Sequence, residues 1–150
     1  MKPTLKIVRI FTAPPELVFA VLTEPAHLRT WFAPEDMDVI SYEGQAQQGE
    51  NWRSVMANKQ GQQYTSYGTY QELDPPRQIV MTHGWEGDIG AQGETVITIT
   101  LTALEGSDSS PKTEMIFEQT GFANESLRDS HDEGWSSALG RIEGVLARLS

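Results

Sequence analysis

The chain contains no cysteine. That removes disulfides, thiolate metal sites and a cysteine nucleophile together. Histidine is nearly as scarce. His27, His83 and His131 are the three present, and no two stand at the H-x-x-x-H or H-E-x-x-H spacing that would aim two imidazoles at one metal ion. The expectation is therefore no metal, and nothing in the sequence points to a cofactor. Basic residues are few: 11 against 21 acidic, a net charge of −10 and a pI near 4.6. Residues 1–75 carry 6 basic and 9 acidic side chains, residues 76–150 carry 5 and 12, so neither half supplies a basic arm. Nucleic acid and anionic membrane surfaces both require clustered Lys and Arg, and neither is an expected partner. No apolar run approaches the roughly 18–20 residues that cross a bilayer. No apolar stretch precedes Arg9 as a signal peptide would require. These two absences predict a cytoplasmic protein without membrane insertion.

What is present suits one folded domain over 1–150. The hydrophobic fraction is 38%, enough for a core at this length. Residues 5–12 mix β-branched and apolar side chains with Lys6 and Arg9, a strand pattern stopped by Ala13-Pro14-Pro15. Leu17, Val18, Val21 and Leu22 then recur at helical spacing, and 26–30 reads as one more short helix after Pro25. Beyond Pro34 the texture is that of strands: 37–42, 52–56, 64–73, 78–85, 95–104 and 113–120. The Thr/Ile alternation of 95–104 is the clearest period of two. A glycine loop (Gly87, Gly90, Gly93) and a turn region at 105–111 separate the later strands. The loop lacks G-x-G-x-x-G order and precedes a strand, so it is not read as a nucleotide loop. From 124 to 149, Leu127, Trp135, Ala138, Leu139, Ile142, Leu146 and Leu149 fall on one helical face, with Asn124 as N-cap. Gly134, Gly140 and Gly144 interrupt it. Each costs about 1 kcal/mol in a helix interior, and close packing on the sheet is the expected reason. Strand, two short helices, six strands at hairpin spacing and a long helix make an α+β layer arrangement with an antiparallel sheet.

Several motifs, taken in order, match a known family. Phe11-Thr12-Ala13-Pro14-Pro15-Glu16-Leu17-Val18-Phe19 resembles the F-x-A-P-x-E-x-V-W opening of START-like proteins. Glu24-Pro25-Ala26-His27-Leu28-Arg29-Thr30-Trp31-Phe32 resembles the D-P-x-x-L-x-x-W-W segment that follows, with Phe32 where a second Trp is common. Gly68-Thr69-Tyr70, Pro75-Pro76-Arg77-Gln78-Ile79-Val80-Met81-Thr82 and Glu133-Gly134-Trp135 continue in the same order. The chain is similar, over nearly its whole length, to the group named after the C-terminal domain of the Hsp-ninety ATPase activator. That group lies within the START-like, polyketide-cyclase and birch-pollen-allergen superfamily. The resemblance implies a helix-grip fold: a curved antiparallel sheet of six or seven strands round a long C-terminal helix, with a cavity between them. The superfamily hosts carriers, cyclases, receptors and co-chaperones, so fold alone does not select an activity.

The candidate cavity residues follow from strand parity. Ile79, Met81, His83 and Trp85 share one strand face; Met115, Phe117 and Gln119 share another; the apolar face of the last helix carries Trp135 and Leu139. With Trp31, Phe32, Trp52, Met56 and Tyr70, these form the expected ligand-binding set, with Tyr70, His83 and Gln119 as polar handles in an apolar lining. His27 reads as a packing or surface residue and His131, beside Asp132 and Glu133, as exposed. Glu35-Asp36 with Asp38, and Asp132-Glu133, read as solvated charge. Ser136-Ser137 does not form G-x-S-x-G. No second catalytic group stands at convincing spacing to His83, which favours a binder over an enzyme. The leading expectation is a small hydrophobic or amphipathic ligand held in the cavity. A chaperone-interacting module and a cyclase- or hydrolase-type enzyme using the same cavity are the alternatives. A homodimer is left open.

Overall fold

Alternation between solvent and core makes Thr4–Phe11 the first strand, β1, with Leu5 and Phe11 buried. It ends where two prolines withdraw ladder donors. Pro14 then becomes the N-cap and Pro15 the first residue of α1 (Pro15–Thr23), positions where a missing N–H costs nothing. The Pro14 carbonyl accepts from the backbone N–H groups of Leu17 and Val18. Glu24, extended, closes α1 and opens α2 (Pro25–Trp31). Six strands follow: β2 (Asp38–Gly44), β3 (Asn51–Ala57), β4 (Gln63–Asp74), β5 (Gln78–Trp85), β6 (Thr95–Leu104) and β7 (Lys112–Thr120). The computed structural model describes residues 2–87, 93–104 and 110–149. Gly90 of the expected glycine loop and 105–109 of the expected turn lie outside those residues.

The seven strands form one antiparallel sheet in the order β1-β7-β6-β5-β4-β3-β2. β2 to β7 are a run of hairpins. β1 alone is non-local, pairing Thr4 with Thr120 and Phe11 with Thr113. Inward residues of the sheet (Leu5, Ile97, Ile99, Leu101, Met115, Phe117) and buried helix residues (Val18, Val21, Leu28, Trp31, Leu139, Ile142) join in one core. At about 25 cal/mol per Å² of apolar surface removed from water, that joint burial is the main favourable term holding helices to sheet.

The expected continuous C-terminal helix is two helices. α3 (Glu125–Leu139) starts on the Asn124 side chain, which accepts from the Leu127 N–H at 2.9 Å. It stops at Gly140. The Arg141 N–H turns back only three residues, to the Ala138 carbonyl, before α4 (Ile142–Leu149) resumes. The Arg141 guanidinium donates to the Ala33 carbonyl at 3.0 Å, tying this joint to the segment after α2. Close packing does not account for Gly134: a methyl group there would meet only Pro34 Cγ, at 3.8 Å. Leu149, expected on the buried face, is 44% exposed.

Candidate functional site

The position of the site follows from how α3 spends its apolar residues. Its C-terminal end buries Trp135, Ala138 and Leu139. Between Glu125 and Gly134 the sole aliphatic side chain is Leu127, and it is half-buried. That stretch has little apolar bulk with which to fill the space above the sheet. The gap is a cavity of about 530 Å³, open at one side, between α3, the segment after α2 and strands β3, β4 and β5. This is within the size range of sites for small organic molecules.

The sheet side of the cavity is hollow for a reason written in two residues. Ser54 and Ser66 face each other across β3 and β4 and are buried, at 3% and 5% exposure. Neither side chain reaches far above the backbone, so the floor stays low. Met56 pairs with Tyr64 on one side of them, and Trp85 sits opposite Ser66. Phe32, Tyr64, Trp85 and Trp135 give the wall four aromatic side chains. Phe32 is also a hub, edge-on to Trp31, Tyr42, Trp52 and Trp135 at centroid distances of 5.4–5.8 Å. The segment 33–37 forms the rim. It is held by the Arg141 contact and by the Glu35 N–H donating to Ser137 Oγ at 2.8 Å.

His83 is the polar centre of this wall. It is 3% exposed and surrounded by the rings of Trp52, Trp85, Trp135 and His131 at 5.2–6.1 Å. Burial first, and then the neighbouring His131, push its pKa down to about 3, so the imidazole is neutral at physiological pH. Its backbone carbonyl accepts from Thr95 Oγ1, and its ring is hydrogen-bonded to no other side chain among the described residues. A neutral imidazole beside a cavity offers one donor and one acceptor to a polar group that enters.

His131 corrects an expectation. It is half-buried and lines the cavity. Its Nε2 accepts from Trp85 Nε1 at 3.0 Å. An indole N–H only donates, so Nδ1 carries the proton and donates to the Leu127 carbonyl at 2.8 Å. Asp36, read as solvated charge, also stands in the cavity wall.

Of the thirteen expected ligand residues, the structure brings five to the cavity: Phe32, Met56, His83, Trp85 and Trp135. The other eight stand behind the wall. Met81, Met115, Phe117 and Leu139 pack in the core where the C-terminal end of α3 meets the sheet. Trp31 donates from Nε1 to the Val21 carbonyl at 2.9 Å, and Trp52 stacks on Tyr42. Tyr70 is spent on Tyr42, hydroxyl to hydroxyl at 2.6 Å; burial holds both phenols above their usual range. Gln119 is fully buried and doubly bonded. It accepts from Trp135 Nε1 and donates to Thr95 Oγ1, each at 2.8 Å. It braces α3 against β6 and does not reach the cavity. Wall residues that parity did not single out include Ser54, Tyr64, Ser66 and Ser130. The inward serines carried a signal: small polar residues at positions where a packed core would place large apolar ones. Among the described residues no group of three or more His, Asp or Glu is placed to hold a metal ion.

Residues 12–147 match the family model described as Activator of Hsp90 ATPase homolog 1-like protein. No curated protein matches the chain significantly. Among solved structures, the chain is similar to the AHSA1 protein from Silicibacter pomeroyi, at 26% identity and a TM-score of 0.86, over 99% of this chain and 100% of that one. It is also similar to a protein from Chromobacterium violaceum, at 25% identity and 0.80, over 95% of each chain. A Rhodobacter sphaeroides protein shares the fold at 23% identity and 0.80, over 97% of this chain and 93% of that one.

Proposed function

Since the chain belongs to the Activator of Hsp90 ATPase homolog 1-like family, and its helix-grip fold holds an open cavity, we propose that it binds a small hydrophobic or amphipathic molecule there. One observation carries this reading. The neutral imidazole of His83, hydrogen-bonded to no other side chain among the described residues, lies in an otherwise largely apolar wall round about 530 Å³. Affinity would come from apolar area, at about 25 cal/mol per Å² buried. The imidazole would orient a polar end, worth about 1 kcal/mol.

The test is a titration with Nile red, an uncharged environment-sensitive dye. Saturable one-to-one binding with quenching of tryptophan emission is expected, because Trp85 and Trp135 line the cavity. Ser66→Phe fills the space above the floor and should abolish binding while the fold persists. An absence of saturable binding by the unaltered protein refutes the reading.

The family description favours a second reading, an interaction with an Hsp90-type chaperone. A change in the ATPase rate of the host's own chaperone on adding this protein would support it. An enzyme reading has less beneath it. Ser54 Oγ is directed to the Ser41 carbonyl, and no serine hydroxyl is hydrogen-bonded to His83 among the described residues, so no nucleophile is activated.

A further inference from the structure

If the cavity takes a ligand, as proposed above, its wall also selects the charge of that ligand. Among the described residues no lysine or arginine lines it, and the undescribed stretches 88–92 and 105–109 contain neither. The arginines closest in sequence to wall residues are spent on other groups. Arg53 pairs with Glu86, Arg128 with Asp129, and Arg29 with the Tyr42 carbonyl, while Arg141 lies behind the rim with Nη1 on the carbonyls of Ala33, Pro34 and Met37. Lys59 sits between the wall residues Asn58 and Gln60 but is exposed and outside the wall. Among the described residues the sole acidic side chain of the wall is Asp36, exposed at the rim. The remaining wall polarity is uncharged: serines, Asn58, Gln60, Tyr64 and the two histidines, His131 held with Nε2 as an acceptor.

An anionic head entering this space would lose water, meet no basic side chain of the lining among the described residues and face Asp36, within a chain whose net charge is −10. A cationic head would meet a carboxylate at the rim and a lining that includes Phe32, Trp85 and Trp135, aromatic rings whose faces attract cations through their quadrupoles. We propose that the cavity selects cationic amphiphiles, an amine or quaternary ammonium on a compact apolar body, and rejects carboxylates, sulfonates and phosphates on the same body.

Three probes of one shape test this by calorimetric titration at neutral pH and low salt: naphthylethylamine, naphthylethanol and naphthylacetate. The expected order is amine, then alcohol, then carboxylate, with the amine at least about tenfold tighter than the carboxylate. That is the scale of one unit charge near a partially screened partner. Asp36→Asn, at an exposed position, should weaken the amine severalfold more than the alcohol. Added salt should narrow the same gap. A carboxylate that binds as tightly as the amine overturns the proposal, as does an amine that fails to bind or an Asp36→Asn variant with the amine's advantage intact. The two readings fail separately. Nile red binding with the charge order reversed removes only the selectivity; no binding of dye or of any probe removes the ligand site itself.

Discussion

Replacing Gln119 with leucine separates a strut from a ligand handle. In the structure its amide is completely buried and bridges Trp135 Nε1 on α3 to Thr95 Oγ1 on β6. Leucine has similar length but neither donor nor acceptor. Two hydrogen bonds vanish, each worth about 1 kcal/mol net. The indole N–H is then left buried and unpaired, a further cost of about 1–3 kcal/mol. Thr95 keeps its bond to the His83 carbonyl, and the leucine gains some apolar burial. The balance is a loss of about 3 kcal/mol, which for a domain of this length lowers the melting temperature by roughly 6–12 °C. Urea denaturation followed by circular dichroism measures it. Trp135→Phe in the same background removes the orphaned N–H, so the double mutant should be less destabilised than the two single losses summed, by about 1–2 kcal/mol. A Gln119→Leu protein of unchanged stability that fails to bind Nile red would refute the reasoning, because it would make the amide a cavity handle.

Three further outcomes are expected. Leu139→Asp and Ile142→Asp each bury an unpaired charge at a site with 0% exposure and should unfold the domain; a melting midpoint within a few degrees of the parent would show that the helices are misplaced. His83 is neutral when folded, with a pKa near 3, whereas the unfolded chain protonates it near 6.5. Its contribution to stability is therefore complete above about pH 6.5 and lost as pH falls toward about 3, by up to about 1.4 kcal/mol per unit; urea midpoints across that window should show a shallower slope for His83→Phe. With a net charge of −10 the protein should show no salt-sensitive binding to duplex DNA or anionic vesicles, and a gel shift or vesicle sedimentation at micromolar protein checks this.

The sheet was largely legible because its signals are local. The Thr/Ile alternation marks β6 at its observed ends, and the proline pairs mark where β1 and β4 stop. The C-terminal break was not legible. Gly134, Gly140 and Gly144 look alike in sequence, and only the tether from Arg141 to the Ala33 carbonyl makes Gly140 the joint. For the site, parity correctly turned Met81, His83, Met115, Phe117 and Gln119 inward, and all five are buried. Parity does not say whether an inward side chain meets another side chain or open space. That depends on what the helix above supplies: α3 brings Trp135 onto Gln119 and Phe117 of β7, but its N-terminal part has Leu127 as its one aliphatic side chain beside the cavity. The scarcity of apolar residues in 125–134, set against the serine pair, was the available sign of a cavity.

The strand order has a consequence for how the protein is made. β1 leaves the ribosome before the other six strands of the sheet, yet its partner is β7, the last of the seven. About a hundred residues separate them, which takes on the order of 5–20 s to translate. Throughout that interval Leu5 and Phe11 have no sheet to enter, while the hairpins from β2 onward can zip as they emerge. The nascent domain thus carries an unpaired apolar strand until β7 emerges. It closes the sheet through a contact of high sequence separation, the kind that slows folding and invites pairing with the wrong chain.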